Sequence, residues 1–256
     1  MQAFWAIYKK ELRTYFGSPI AYVVIAFYLL ITGYFFYSNL AFFSLISFQA
    51  VQQPQLLNQL NVNEGVLRPL FENASIIALL IVPMLTMRLF AEEKRQGTFE
   101  LLLSYPVRDI EVGLAKFASC LTVYALALAI SAAHPLIVGA VSSPEISPIL
   151  SGYLGMLLMG GAFIALGIFI SSLTENQIVA VVSTFGTLLL IWAIGFADTF
   201  TGPTIGRILR HISIIEHFTM FAQGVIDTQH IVFYLNFVVF CLFLTMRSLE
   251  SKRWRS

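Results

Sequence analysis

Six stretches of this chain run for roughly 20 residues each with almost no charged side chain, and a segment of that kind has few places to go. At 1.5 Å rise per residue such a run crosses a hydrocarbon layer about 30 Å thick, and a helix is the only single-segment structure that satisfies its own backbone there. The runs are Ile20 to Ser38, Ala74 to Phe90, Phe117 to Val138, Ile149 to Leu173, Ile178 to Phe196 and Ile231 to Met246. Apolar residues make up 58% of the chain and charged residues 11%, too lopsided for a water-soluble globule to bury. The sequence therefore predicts one all-α integral membrane domain over residues 1–256.

The basic residues orient it. With the N-terminus inside, the inner segments carry Lys9, Lys10, Arg13, Arg88, Lys94, Arg95, Arg108, Lys116, Arg247, Lys252, Arg253 and Arg255, and the outer ones only Arg68, Arg207 and Arg210. Lys and Arg collect on the cytoplasmic side, so both termini are expected there. The formal net charge of +1 is close to zero and says nothing about nucleic acid, which is not among the expected partners; what matters is where the charges fall along the chain.

Residues 1–16 do not read as a cleavable leader, because Lys9, Lys10, Glu11 and Arg13 interrupt the apolar positions. On a helical wheel Trp5, Tyr8, Leu12 and Tyr15 share a face from which Lys9, Lys10 and Arg13 are excluded. That is the pattern of an interfacial helix, or of a plain lead-in to the first span. Gly17 breaks it, Ser18 can cap the next helix, and Pro19 suits its first turn.

Two outer loops stand out. Residues 39–73 are rich in Asn and Gln, with Phe42, Phe43, Leu45, Ile46 and Phe48 suggesting a separate surface helix. Residues 201–229 suggest two short helices that dip toward the outer leaflet without crossing it. Either loop could serve as a lid or as a binding element.

Catalytic signatures are missing. No Lys follows a Gly, so a G-x-x-x-x-G-K-[ST] phosphate loop is excluded, and neither H-E-x-x-H nor G-x-S-x-G occurs. Cys120 and Cys241 lie inside apolar runs and fit no ligand spacing. His211 and His217 are six apart at the outer side, a weak metal signal. His134 precedes Pro135 near the outer end of span three, where a kink is expected. Polar Thr122, Ser183, Thr184, Thr187 and Asn236 read as hydrogen-bonding groups between helices. No ionisable side chain falls near the middle of a span, which argues against a proton-coupled carrier.

The most polar part is the segment 91–106, which has the physics of a docking element. Gly97 can end the helix that extends from span two, because a left-handed backbone costs glycine least. Thr98 is then placed to cap a short helix Phe99 to Ser104, with Glu100 near its positive end and Tyr105 and Pro106 stopping it. Such a helix is too short to stand alone, and burying Phe99, Leu102 and Leu103 in a partner would complete it. Glu92, Glu93, Lys94 and Arg95 would form a charged rim.

Those residues carry a resemblance. The opening KKELRTYFGSP, the long stretch Val66 to Val107 with its Glu92, Glu93, Arg95, Gly97, Thr98, Glu100, Leu101, Leu102 and Pro106 pattern, and IEHFTMFAQGVID (Ile215 to Asp227) resemble type-2 ATP-binding-cassette (ABC-2) permease subunits, within them the gliding-motility-associated group. The resemblance implies that Phe99 to Ser104 is a coupling helix seated in a separate ATPase subunit, which would hold ATP and Mg, while this chain needs no cofactor and is no enzyme. It implies a connecting helix over residues 1–16, a smaller contact at Ser171 to Gln177, and a second permease subunit, identical or related. It also implies a place in the bacterial cytoplasmic (inner) membrane and leaves room for a periplasmic-facing companion. The alternative from the residues alone is an ATP-independent membrane scaffold that recruits a soluble partner through the same handle.

Overall fold

The computed structural model describes residues 2–52, 61–99, 107–197, 211 and 213–253. The described residues are helices and connectors with no strand. In chain order they are α1 Gln2–Gly17, α2 Pro19–Gln52, a π-helical turn Asn63–Leu67 leading into α3 Arg68–Thr86, α4 Arg88–Arg95, α5 Asp109–Ser131, α6 Ala133–Val141, α7 Ile146–Leu173, α8 Gln177–Ala197, α9 Ile214–Ala222 and α10 Thr228–Arg253. Among the described residues six helical stretches are long and apolar enough to cross a membrane, and they coincide with the runs read from the sequence, the fifth stopping at Gly195. Six such crossings would return Gln2 and Arg253 to the same, charged end of the bundle.

The crossings are not equivalent. The most apolar windows of Asn63–Arg95 and Ile146–Leu173 are 78% and 72% buried, whereas those of α8 and α10 are 17% buried. The former pair is the core, and the latter present most of their surface outward. Helix α7 is central because its small residues let neighbours approach: an added Cβ at Gly152, Gly155, Gly160 or Gly167 would collide with Phe71, Phe221, Tyr124 or Thr86. Close approach at small residues is how helices gain dispersion energy where lipid removes the hydrophobic drive.

One boundary differs from expectation. Span one continues without a break to Gln52, so Phe42 to Phe48 belong to it and not to a separate surface helix. No Gly or Pro falls between Gly33 and Pro54, and nothing local stops the helix. Pro83 lies inside α3, and the chain makes only a slight break at Met87, whose amide still donates to the Pro83 carbonyl at 3.0 Å. Span three breaks between Ser131 and Ala133, just before Pro135, as the His134–Pro135 pair suggested. Between spans five and six one short helix, α9, is described; residues 198–210 lie outside the description.

The polar groups within spans mostly satisfy themselves. Thr32, Thr86 and Thr245 each donate to a carbonyl four residues back. Thr187 also turns back, to Ser183 of its own helix, and Asn236 is exposed, so neither is an interhelical bond. Thr122 does bridge elements, meeting the Tyr8 hydroxyl at 3.0 Å.

Candidate functional site: a charged hub beneath the polar handle

At the charged end, α1, α4 and α5 converge on one ammonium group. Lys116, near the start of α5, is 1% exposed. Its Nζ lies 2.7 Å from Glu11 Oε1 and 2.9 Å from Glu93 Oε2, and donates to the Leu89 carbonyl at 2.6 Å. The Phe90 ring faces it at 5.0 Å. Lys10 closes the network, with Nζ 2.6 Å from Glu93 Oε1 and 3.9 Å from Glu11. Two cations thus offset two carboxylates. Burial opposes the charge on Lys10, but the Glu93 carboxylate beside it prevails and holds its pKa above the usual lysine value.

Arg88 ties in the elbow that follows α1. Its guanidinium lies 4.5 Å over the Tyr15 ring and donates to Ser18 Oγ at 2.9 Å, while the Tyr15 hydroxyl donates to the Leu85 carbonyl at 2.8 Å. Ser18 caps as expected, accepting from Ile20 N at 3.3 Å.

A hydroxyl from α7 joins the same helix. Ser171 Oγ accepts from Phe90 N and Ala91 N, both at 3.2 Å, and donates to the Met87 carbonyl at 3.0 Å. It stands between Met87 and Ala91, an i,i+4 pair, at the break that follows α3. Lys94 donates to the Ser172 carbonyl. The strip from Arg88 to Lys94 is therefore fixed to α1, α5 and α7 together.

The anticipated docking residues divide. Gln96 and Gly97 end α4, and Gly97 has φ +69°, the left-handed geometry that glycine takes at least cost. Thr98 Oγ1 donates back to the Glu93 carbonyl at 3.2 Å, closing the preceding helix from behind. Phe99 is buried and meets Phe90 edge-on at 6.2 Å, with Lys94 Nζ 5.3 Å from its ring. It is an anchor into the bundle, not an exposed contact. Glu93 and Lys94 turn inward, while Glu92 is half-buried and Arg95 exposed. Glu100, Leu101, Leu102, Leu103 and Pro106 lie outside the described residues.

Helix α1 buries Ile7, Glu11 and Tyr15. Tyr8 and Leu12 pack partly against the core, Trp5 is exposed, and Lys9, Lys10 and Arg13 face outward. Sequence reasoning missed Glu11 and placed Ser171 only at the start of a partner contact, whereas it is fully buried and bonded to α4. The former was detectable, since Ile7, Glu11 and Tyr15 recur at i, i+4, i+8 and a carboxylate on that buried stripe requires a cation. Ser171 left no signal, because its partners are set by tertiary contact.

At the far end His217 pairs with His230, Nδ1 to Nδ1 at 2.6 Å, and its Nε2 lies 3.2 Å from the His211 carbonyl. The bond to that carbonyl needs a proton on His217 Nε2, so its Nδ1 accepts from His230. Among the described residues no three His, Cys, Asp or Glu side chains are grouped to hold a metal.

Residues 50–246 match the family described as ABC-2 family transporter protein. No individual curated protein matches the chain.

Proposed function

The chain belongs to the ABC-2 transporter family and is a multi-pass membrane permease subunit, and we propose that it converts the motion of a separate ATPase subunit into substrate translocation. The observation that carries this reading is the fixation of Arg88 to Lys94 on three helices at once. Whatever grips residues 100–106 pulls on a strip whose displacement must move α1, α5 and α7 together. A solvated recruitment loop would need no such attachment, which disfavours the scaffold alternative.

In this scheme ATP and Mg reside on the partner. ATP-driven closure of the ATPase moves the handle, and the spans switch between two arrangements. The charged end lies in the cytoplasm of a cell whose inner membrane holds the chain, a bacterial one, and the asymmetry of basic residues supports this placement. Two permease subunits, identical or related, share the path. The finer likeness to the gliding-motility-associated group rests on the residue patterns of the KKELRTYFGSP opening, Val66 to Val107 and Ile215 to Asp227, and a periplasmic-facing companion rests on that likeness in turn.

Purification from the native membrane tests the scheme. Co-purification of a nucleotide-binding subunit, with ATPase activity that the isolated permease chain lacks, supports it. A chain that purifies without any ATPase, or hydrolyses ATP alone, overturns it. Reporter fusions after Arg255 should read cytoplasmic; an outside signal would mean that one crossing is misassigned.

A further inference from the structure

Arg88 is the cation that the hub leaves over. Lys10 and Lys116 are matched by Glu11 and Glu93, whereas no carboxylate among the described residues pairs with the Arg88 guanidinium, which is 7% exposed. Its Nη1 donates to Ser18 Oγ and its face lies over the Tyr15 ring. Nη2 is buried and meets no acceptor among the described residues. A guanidinium carries five N–H donors and does not give up its proton in a protein, so one hydroxyl and one ring do not balance it. A cation held out of water without a counter-ion is strongly unfavourable.

The nearest mate along the chain is Glu92, one turn on at the i,i+4 spacing that suits such pairs. Its Oε1 instead accepts from Gln96 Nε2 at 3.2 Å. Arg88 and Glu92 both border a polar cleft of about 260 Å³, with Lys10, Thr14 and Gln96 on its walls. Thr14 and Gln96 are exposed, so the cleft can be entered from outside the bundle. Its size lies just below the roughly 300–1,000 Å³ of sites for drug-sized ligands, which suits a small anionic group.

The depth of Arg88 says where such a group comes from. Span one begins at Pro19, directly after Ser18, and the 2.9 Å bond from Arg88 to Ser18 sets the guanidinium at that level, where hydrocarbon gives way to headgroups. Gly17 and Pro19 on either side of Ser18 are exposed, so the elbow is open to the bilayer. One turn deeper Tyr22 and Val23 are exposed as well and offer acyl chains an apolar surface. Basic pockets at the cytoplasmic ends of spanning helices take anionic lipid headgroups, and guanidinium matches phosphate with parallel N–H donors.

We propose that Arg88 anchors the phosphate of an anionic phospholipid from the leaflet at the charged end, with Nη2 donating to it. The lipid is the counter-ion that the chain itself lacks, seated at the elbow between α1 and span one. The site goes beyond the transport scheme and does not depend on how an ATPase is coupled, since it follows from an unpaired buried cation at the membrane surface.

Native mass spectrometry of the purified full chain with its partners, exposed to phosphatidylglycerol, phosphatidylcholine or inorganic phosphate, tests the site. Phosphatidylglycerol should be retained at least about tenfold more than phosphatidylcholine, whose own ammonium cancels its phosphate, as expected for a buried charge pair. Arg88→Gln should lose that preference. Glu92→Gln removes a carboxylate from the cleft wall and should retain phosphatidylglycerol more strongly, a gain that a purely structural arginine would not produce and that can be read even if Arg88→Gln fails to fold. Arg13→Gln, exposed on α1, should match wild type. Equal retention of the two lipids, or a Glu92→Gln chain that holds phosphatidylglycerol no better than wild type, overturns the site. Displacement of the lipid by excess inorganic phosphate overturns the lipid source and assigns the cleft to a soluble phosphate.

Discussion

Removing the ammonium at the centre of the hub, as in Lys116→Met, tests how the polar handle is held. The substitution keeps most of the side-chain volume and deletes one buried charge. Glu11, itself buried, is left with Lys10 at 3.9 Å as its nearest cation, Glu93 keeps only Lys10, and the Leu89 carbonyl loses its donor. Breaking a buried ion pair by taking away one partner costs about 3–5 kcal/mol. Lys10 is more than half exposed and compensates little, since exposed pairs contribute about 0–1 kcal/mol. For a chain of this size roughly 2–4 °C per kcal/mol gives a fall of about 6–20 °C in the apparent melting temperature in detergent, followed by tryptophan fluorescence. The double variant Glu11→Gln, Lys116→Met should recover part of that loss, because the stranded carboxylate is gone. A Lys116→Met protein that melts within about 2 °C of wild type, or a double variant no better than the single one, would refute the reasoning.

Replacing Leu102 and Leu103 together by Asp should abolish co-purification of the ATPase while the chain still inserts, since burial is lost and charge introduced where a partner groove is expected; equal recovery in a pull-down would refute the docking assignment. Glu100→Lys opposes the helix dipole, typically a 0.3–1 kcal/mol effect, and should weaken the same association less. Gly160→Val places a side chain where Tyr124 already packs, with an expected loss of about 1–3 kcal/mol readable as a lower apparent melting temperature. Burial, aided by the neighbouring His230, holds the His217 pKa below its ordinary 6.5. The seating of α9 is therefore fully stable above pH 6.5 and weakens as pH falls through 6.5 toward the lowered value. The groups facing His217 are His230, His211 and Glu216, and its ring stacks on Phe233 at 3.9 Å. Hydrogen exchange over residues 214–222, corrected for intrinsic rates, should rise between pH 7.5 and 5.5 in the native chain and stay flat in His217→Phe.

The crossings were legible because lipid imposes a simple requirement, a charge-free helix of sufficient length, and composition alone reports it. The extension of α2 was not, because Ser38 and Asn39 look like the start of a loop. The informative feature was what does not follow them: no Gly or Pro before Pro54, and a helix continues unless something stops it. The charged end was misjudged in a related way. Lys116 served as a marker of sidedness and Glu93 as a rim residue, because a linear pattern cannot say whether a charge meets water or another charge. Both turn inward, and with Glu11 and Lys10 they make a neutral cluster that composition could not distinguish from scattered surface residues. The difference matters for mechanism. A solvated rim would let the handle move without consequence, whereas a buried cluster resists separation of its members, since parting them exposes an unpaired charge to an apolar surrounding. Displacing α4 while α1 and α5 stay in place is therefore the costly path, and movement of the three as one body is the cheap one. In the proposed scheme the hub would therefore act as a rigid lever, with Phe99 and Gly97 at the end where a partner would apply force and the Ser171 insertion at Met87 as the point where span two would bend.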